Sequence, residues 1–158
     1  MSVIIADTVK IEKTAMVSDN AHVSDFAWVY GNASVCDNAQ VSESAKVGGN
    51  AIVCDHAQVW NNAMVSGNAK VYGNAWVFGN AIVCGIATIR GYARVWKHAK
   101  VSGNAQVCDY AQVYGDAIVK GNAIVCDHAL VCRNAILEGD VNLTSGRIMD
   151  VHWWRDIP

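Results

Sequence analysis

The six residues AKVYGN (69–74) hold the fold in miniature. The first and third places are small or branched apolar groups, the second and fourth vary, and Gly-Asn closes the unit. The same frame recurs in AMVSDN (15–20), AWVYGN (27–32), AQVSES (39–44) and AIVKGN (117–122). It runs without insertion from Val3 to Gly146, which is 24 hexads. The first place is Ala in all but Val3, Val9 and Val141, and the third is Val except at Ile5, Ile11, Ile89, Leu137 and Leu143. Alternation over four residues is the signature of a half-buried strand. The closing pair is Gly-Asn, Asp-Asn or Asp-His in 11 of the 24 hexads, and such residues tolerate positive φ and make corners. A period of six does not fit the 3.6 residues of a helix, and these corners would break every helical turn. A short strand and a corner, repeated, predict a coil with Ala and Val at its axis.

Composition agrees. The chain has 158 residues, 53% hydrophobic and 16% charged, enough to bury a core and too apolar for disorder. Gly numbers 13 and Pro 1, which excludes collagen and Pro-rich chains. No apolar run reaches the roughly 18 residues of a membrane helix, so no membrane partner is expected. No secretion signal opens the sequence, which predicts a cytoplasmic protein with reduced thiols.

The hexads resemble the hexapeptide-repeat family, in which an aliphatic residue is followed four places later by a small one, as in Val17 with Ala21, Val29 with Ala33 and Val113 with Ala117. The resemblance implies an all-β fold, a single-stranded left-handed parallel β-helix of triangular section with three hexads per coil, usually trimeric. The handedness comes from the resemblance alone, since the general crossover rule favours the other hand. The richness in GNAxV resembles the bacterial and phage-associated branch of that family. Three hexads per coil give about eight coils, from 3–20 to 129–146, in a prism about 38 Å long. Residues separated by three hexads become vertical neighbours. The expected division is a β-helix over 1–146 and a tail over 147–158, carrying Ile148, Met149, Trp153 and Trp154, that caps the last coil or docks on a neighbouring subunit.

The outward columns carry the functional signal. One runs Ser24, Ser42, Trp60, Phe78, Trp96, Tyr114, Cys132, and beside it stand Trp76 and Arg94. Charge is segregated as well. Residues 56–108 contain no acid and five bases, Lys70, Arg90, Arg94, Lys97 and Lys100, whereas 1–55 carries −4 and 109–158 carries −3. The same waist holds Trp60, Tyr72, Trp76, Phe78, Tyr92 and Trp96. Cations beside aromatic planes suit a ligand with a π-face and a negative charge, such as a nucleotide. The residues expected to bind it are Trp60, Tyr72, Trp76, Phe78, Arg90, Arg94, Trp96, Lys97, His98 and Lys100. The alternatives are a supporting aromatic ladder, a subunit interface and a solvated basic face. The negative net charge and the lack of an extended basic stripe disfavour long nucleic acid.

Enzymatic readings start from the resemblance. Acyltransferases of the family use a histidine base at a subunit cleft, helped by a loop thrown out of the coil. No loop is inserted here, and His56, His98 and His128 sit where a corner Asn is usual. His98 is the candidate base if an acyltransferase site exists, with acetyl-CoA as its cofactor. The three-histidine zinc site of the γ-class carbonic anhydrases is not reproduced, because no close histidine pair occurs. Of the six cysteines, Cys36 and Cys54 are separated by three hexads, and so are Cys108 and Cys126. They are read as reduced, outward thiols, and without a CxxC motif no metal is expected. The expected function is therefore non-enzymatic. A homotrimer holds a small anionic aromatic ligand in grooves between subunits, with no cofactor, sequestering it as a phage sponge for a host nucleotide signal would. The alternatives are a CoA-dependent acyltransferase and a structural trimer such as a spike or scaffold.

Overall fold

The computed structural model describes residues 4–5 and 8–150, together with the backbone of His152–Arg155. Among them the chain forms 26 short strands and no helix, grouped in three parallel sheets of nine, nine and eight strands. Each hexad contributes one strand to one sheet, and every third hexad returns to the same sheet. The first sheet holds, among others, Gln58–Val59, Trp76–Val77, Arg94–Lys97, Gln112–Gly115 and Leu130–Cys132. The register is one full coil of three hexads throughout the repeat, as in Trp76 beside Arg94, Met64 beside Ile82 and Lys70 beside Thr88. The fold class is thus the expected parallel β-solenoid of about eight coils.

The core is made by two residue types. From Ala21 to Ala135 the first-place Ala side chains are 0% exposed, and so are the third-place residues from Val23 to Leu137. Ala keeps the three walls close, and branched Val fills the remaining space while favouring the extended backbone. Ile89 and Leu137 are the largest side chains in this interior. No charged or polar side chain is buried among the described residues. Backbone groups are satisfied between coils, as where the Trp76 N–H donates to Ala93 O at 2.9 Å and the Phe78 N–H to Val95 O at 3.0 Å.

The corners turn on positive φ. Asp25, Asp37, Asp55, Asp109 and Asp127 lie at φ 53–58°, and glycines take the same place in most other hexads. Glycine is required where coils approach closely: a Cβ on Gly67 (φ +71°) would stand 2.8 Å from Gly85 O and 3.0 Å from its N. Elsewhere the side chain of the corner residue closes the turn above it. Asp37 accepts from the Asp55 N–H at 3.2 Å and Asp55 from the Gly73 N–H at 2.9 Å. Asn side chains chain upward at another corner, from Asn32 to Asn50 at 3.2 Å and from Asn50 to Asn68 at 2.9 Å.

Beyond Gly146 the strands continue with shortened corners. Arg147–Met149 pairs with Leu130–Cys132 in a register one place short of a full coil, and His152–Arg155 pairs with Ile136–Gly139 in a register two places short. Ile148 is buried over the core. Asp150 ties this segment down, accepting from Arg133 at 3.1 Å and from the Asn134 N–H at 3.3 Å. The side chains of Trp153 and Trp154 lie outside the described residues.

Candidate binding site

Stacking in a one-coil register builds the aromatic column directly. Trp60, Phe78, Trp96 and Tyr114 occupy the fourth place of successive first-sheet hexads. The Trp60 and Phe78 rings are 4.5 Å apart with planes at 2°, Phe78 and Trp96 are 5.7 Å apart at 1°, and Trp96 and Tyr114 are 4.4 Å apart at 10°. The strand spacing matches the thickness of stacked rings, so one coil per ring gives a continuous, half-buried ladder. Its upper end is closed by Arg147, which donates from Nη2 to Tyr114 Oη at 3.5 Å and from Nε to Cys132 Sγ at 3.4 Å. The Cys132 thiol raises the Tyr114 pKa through their hydrogen bond, with burial adding to it.

Beside the ladder, Trp76 meets the edge of Trp60 at 5.6 Å and a plane angle of 73°. The Arg94 guanidinium carbon stands 4.4 Å from the Trp76 ring centroid. This is a cation–π pair one coil high, set by the Trp76–Arg94 register. It forms one wall of an open groove of about 430 Å³ along the prism edge where the third sheet hands the chain to the first. Gln58, Trp76 and Arg94 supply the first-sheet wall, and the corner residues His56, Asn74 and Tyr92 supply the other. The volume is within the range of small-ligand sites. Arg94 has no carboxylate partner among the described residues. Tyr92 is 53% exposed and begins a second, corner stack with Tyr110 at 5.1 Å, which in turn lies 5.3 Å from His128.

The ten residues expected to bind a ligand do not converge on one pocket. Trp76 and Arg94 line the groove, with Trp60, Phe78 and Trp96 adjoining on the same sheet. Tyr72 and Arg90 project from the fourth place of third-sheet hexads, on the far side of the corner. Lys97 and His98 form the opposite corner of the first sheet, and Lys100 begins the second sheet's strand Lys100–Val101. The belt therefore wraps one face and both its edges. Lys97 reaches back over Tyr114, 5.8 Å from its centroid. The groove residues that sequence reading passed over are His56, Gln58, Asn74 and Tyr92. The signal for them was the corner place next to the Trp76–Arg94 pair, one step around the prism.

His98 sits in a corner stack. Its Nδ1 is 3.5 Å from Asp116 Oδ1 and its Nε2 is 3.2 Å from Asn80 Nδ2, with His98 and Asp116 side chains 65% and 67% exposed. Asp116 orients the ring, and the Asn80 amide faces the nitrogen that a base would use.

The thiols differ from expectation in one respect: Cys108 and Cys132 point outward in sequence pattern but are 2% and 0% exposed. Burial pushes the Cys54 thiol up to about 12, with Cys36 and Asp55 adding to it. Burial likewise pushes Cys108 up to about 12, opposed by Arg90 and reinforced by Cys126 and Asp109. Cys36 is raised by burial and by Asp37.

Comparison with known proteins bears on the fold. Residues 69–85 and 111–127 match the family described as YdcK beta solenoid repeat. No curated protein matches the chain at significant similarity. Among solved structures, the UDP-N-acetylglucosamine O-acyltransferase (LpxA) of Moraxella catarrhalis RH4 is similar over 84% of this chain, at 15% identity and a TM-score of 0.60. The UDP-N-acetylglucosamine acyltransferase of Francisella novicida aligns over 85% of the chain at 13% identity and a TM-score of 0.36. The chain spans 66% and 62% of the lengths of these two proteins. The repeat match and the Moraxella structure agree with the unbroken hexads on the fold, a parallel β-solenoid similar to that of the Moraxella acyltransferase.

Proposed function

We infer that the protein binds, without turning over, a small ligand that carries both an aromatic ring and a negative charge, such as a nucleotide. The observation that carries this reading is the Arg94–Trp76 pair, 4.4 Å apart, walling a groove of about 430 Å³. It lies in a waist, 56–108, that has no acidic residue in sequence. A guanidinium placed over an indole and without a carboxylate partner has N–H groups to offer a phosphate. Tyr92 offers a face for a ring, and Gln58, Asn74 and His56 offer polar edges. In a homotrimer a neighbouring copy would close the open side of the groove, and a site of this kind would sequester its ligand. Calorimetric titration with adenine and guanine nucleotides tests the reading. Arg94→Ala is expected to cost roughly 1.5–3 kcal/mol of binding, and an affinity that does not change removes the groove as the site.

A second reading, acyl transfer, draws on the Asp116–His98 contact of 3.5 Å and on the fold shared with an acyltransferase. It requires acetyl-CoA turnover that disappears in His98→Ala. The open Arg94 groove lies across the first sheet from His98, so the two variants separate the readings.

A further inference from the structure

The third sheet carries the same chemical unit twice. Cys36-Asp37 lies one coil below Cys54-Asp55-His56, and Cys108-Asp109 lies one coil below Cys126-Asp127-His128. The ladder fixes the pairs: Ser34 and Val35 stand beside Ile52 and Val53, and Gln106 and Val107 beside Ile124 and Val125. The Cys36 N–H donates to Val53 O at 3.0 Å and the Cys108 N–H to Val125 O at 2.9 Å, so each pair of thiols leaves neighbouring strands side by side. In the first unit the sulfurs of Cys36 and Cys54 and a carboxylate oxygen of Asp37 all lie within 4.8 Å of one another. In the second the same holds for Cys108, Cys126 and Asp109.

We propose that these are two binding sites for a thiophilic divalent cation of the zinc or cadmium type, each formed by two thiolates and one carboxylate stacked across adjacent coils. Zinc–sulfur bonds are about 2.3 Å and zinc–oxygen bonds about 2.0–2.2 Å. Ligand atoms around one tetrahedral ion are then somewhat under 4 Å apart, so a closing of well under an ångström at each side chain completes the set. Three protein ligands leave the fourth position to water or an external donor, the arrangement of open zinc sites. Binding releases both thiol protons to solvent, and the dication offsets most of the charge of two thiolates and a carboxylate, leaving a single net negative charge at the site. Asp37 is already held in place by the Asp55 N–H at 3.2 Å, and Cys36 Sγ faces its Oδ2 at 3.6 Å.

The surroundings rank the two sites. Asp19 and Asp55 flank the first in the same corner column, whereas Arg90 stands one coil below Cys108 at the second. The first site therefore binds more tightly, and Arg90→Ala strengthens the second. CxxC spacing gives no hint of either site, because the ligand spacing here is one full coil.

The test is a titration of the reduced, chelator-stripped protein with cadmium, followed by sulfur-to-metal charge-transfer absorption. Saturation is expected at two ions per chain, one for each unit. Cys54→Ser removes one ion and Cys126→Ser the other, while Cys84→Ser, on the second sheet, removes none. Asp37→Asn weakens the tighter site by at least about tenfold, the least that loss of a metal-supporting group costs. No charge-transfer band, or a Cys54→Ser, Cys126→Ser double variant that still saturates at two, overturns the proposal. Cadmium-113 resonances of the wild-type protein give a reading that needs no variant: two sulfur-ligated signals are expected, and signals of oxygen-only ligation overturn it.

Discussion

Trp60 and Phe78 are a full coil apart along the chain, yet their rings lie 4.5 Å apart with planes inclined by 2°. Phe78 stacks on Trp96 as well, so it is an interior rung of the ladder. Phe78→Ala removes both contacts and leaves Trp60 and Trp96 facing a gap. We expect a loss of about 1–3 kcal/mol in unfolding free energy, measured as the shift in urea midpoint at fixed protein concentration. An unchanged midpoint would mean that the rings stabilise nothing and that the column serves another surface.

Gly67 tests the corner geometry. Its φ of +71° and the 2.8 Å approach to Gly85 O leave no room for a methyl group. Gly67→Ala is expected to destabilise the chain by about 1–3 kcal/mol, with hydrogen exchange rising in the coils on either side. Asn68→Ala, at the neighbouring corner place, breaks only the side-chain hydrogen bond from Asn50 and is expected to cost less.

Alkaline pH acts through the paired thiols. In the unfolded chain they lose protons near pH 8.5, whereas Cys54 and Cys108 in the folded chain hold theirs up to about 12. The unfolded state then binds fewer protons than the folded one, and stability falls as pH rises through that interval. Below it the contribution is complete. A Cys54→Ser, Cys108→Ser variant should show a flatter alkaline limb in denaturant midpoints, and an unchanged slope would contradict this assignment.

Acid acts at the other end. Hydrogen bonds from the Arg133 side chain and from the Asn134 backbone hold the Asp150 pKa below its usual value. A depressed carboxylate pKa stabilises the folded state above the unfolded value and ceases to do so as pH falls through the folded one. The group is exposed, so the effect is local. Protection of the Asn134 amide, measured against its intrinsic exchange rate, should fall below about pH 4, and Asp150→Asn should show the reduced protection at neutral pH.

The fold was legible because each hexad states its own local structure. Ala69 and Val71 declare the inward side, Gly73 and Asn74 the corner, and the constant frame gives the register that puts Trp76 beside Arg94. The ladder from Trp60 to Tyr114 followed from the same counting. The groove did not, because it depends on how two walls meet at an edge: Tyr92 and His56 are corner residues on the third-sheet hexads, and period alone does not say which first-sheet side chains they face. The burial of Cys132 was equally hidden. Arg147 covers it from a segment whose register has slipped one place short of a full coil, outside the repeat arithmetic. Counting by coils already set Cys36 beneath Cys54, but only three-dimensional proximity shows the Asp37 carboxylate joining the two sulfurs.

A uniform register also governs how such a chain acquires its shape. Every ladder partner within the repeat is a single turn of the prism away, so no step requires distant ends to find each other. Assembly can begin at any adjacent pair of turns and advance by accretion in both directions, each new turn meeting a template already in place. The reverse process peels inward from the extremities, and the waist that bears Trp76 and Arg94 is the last part to come undone.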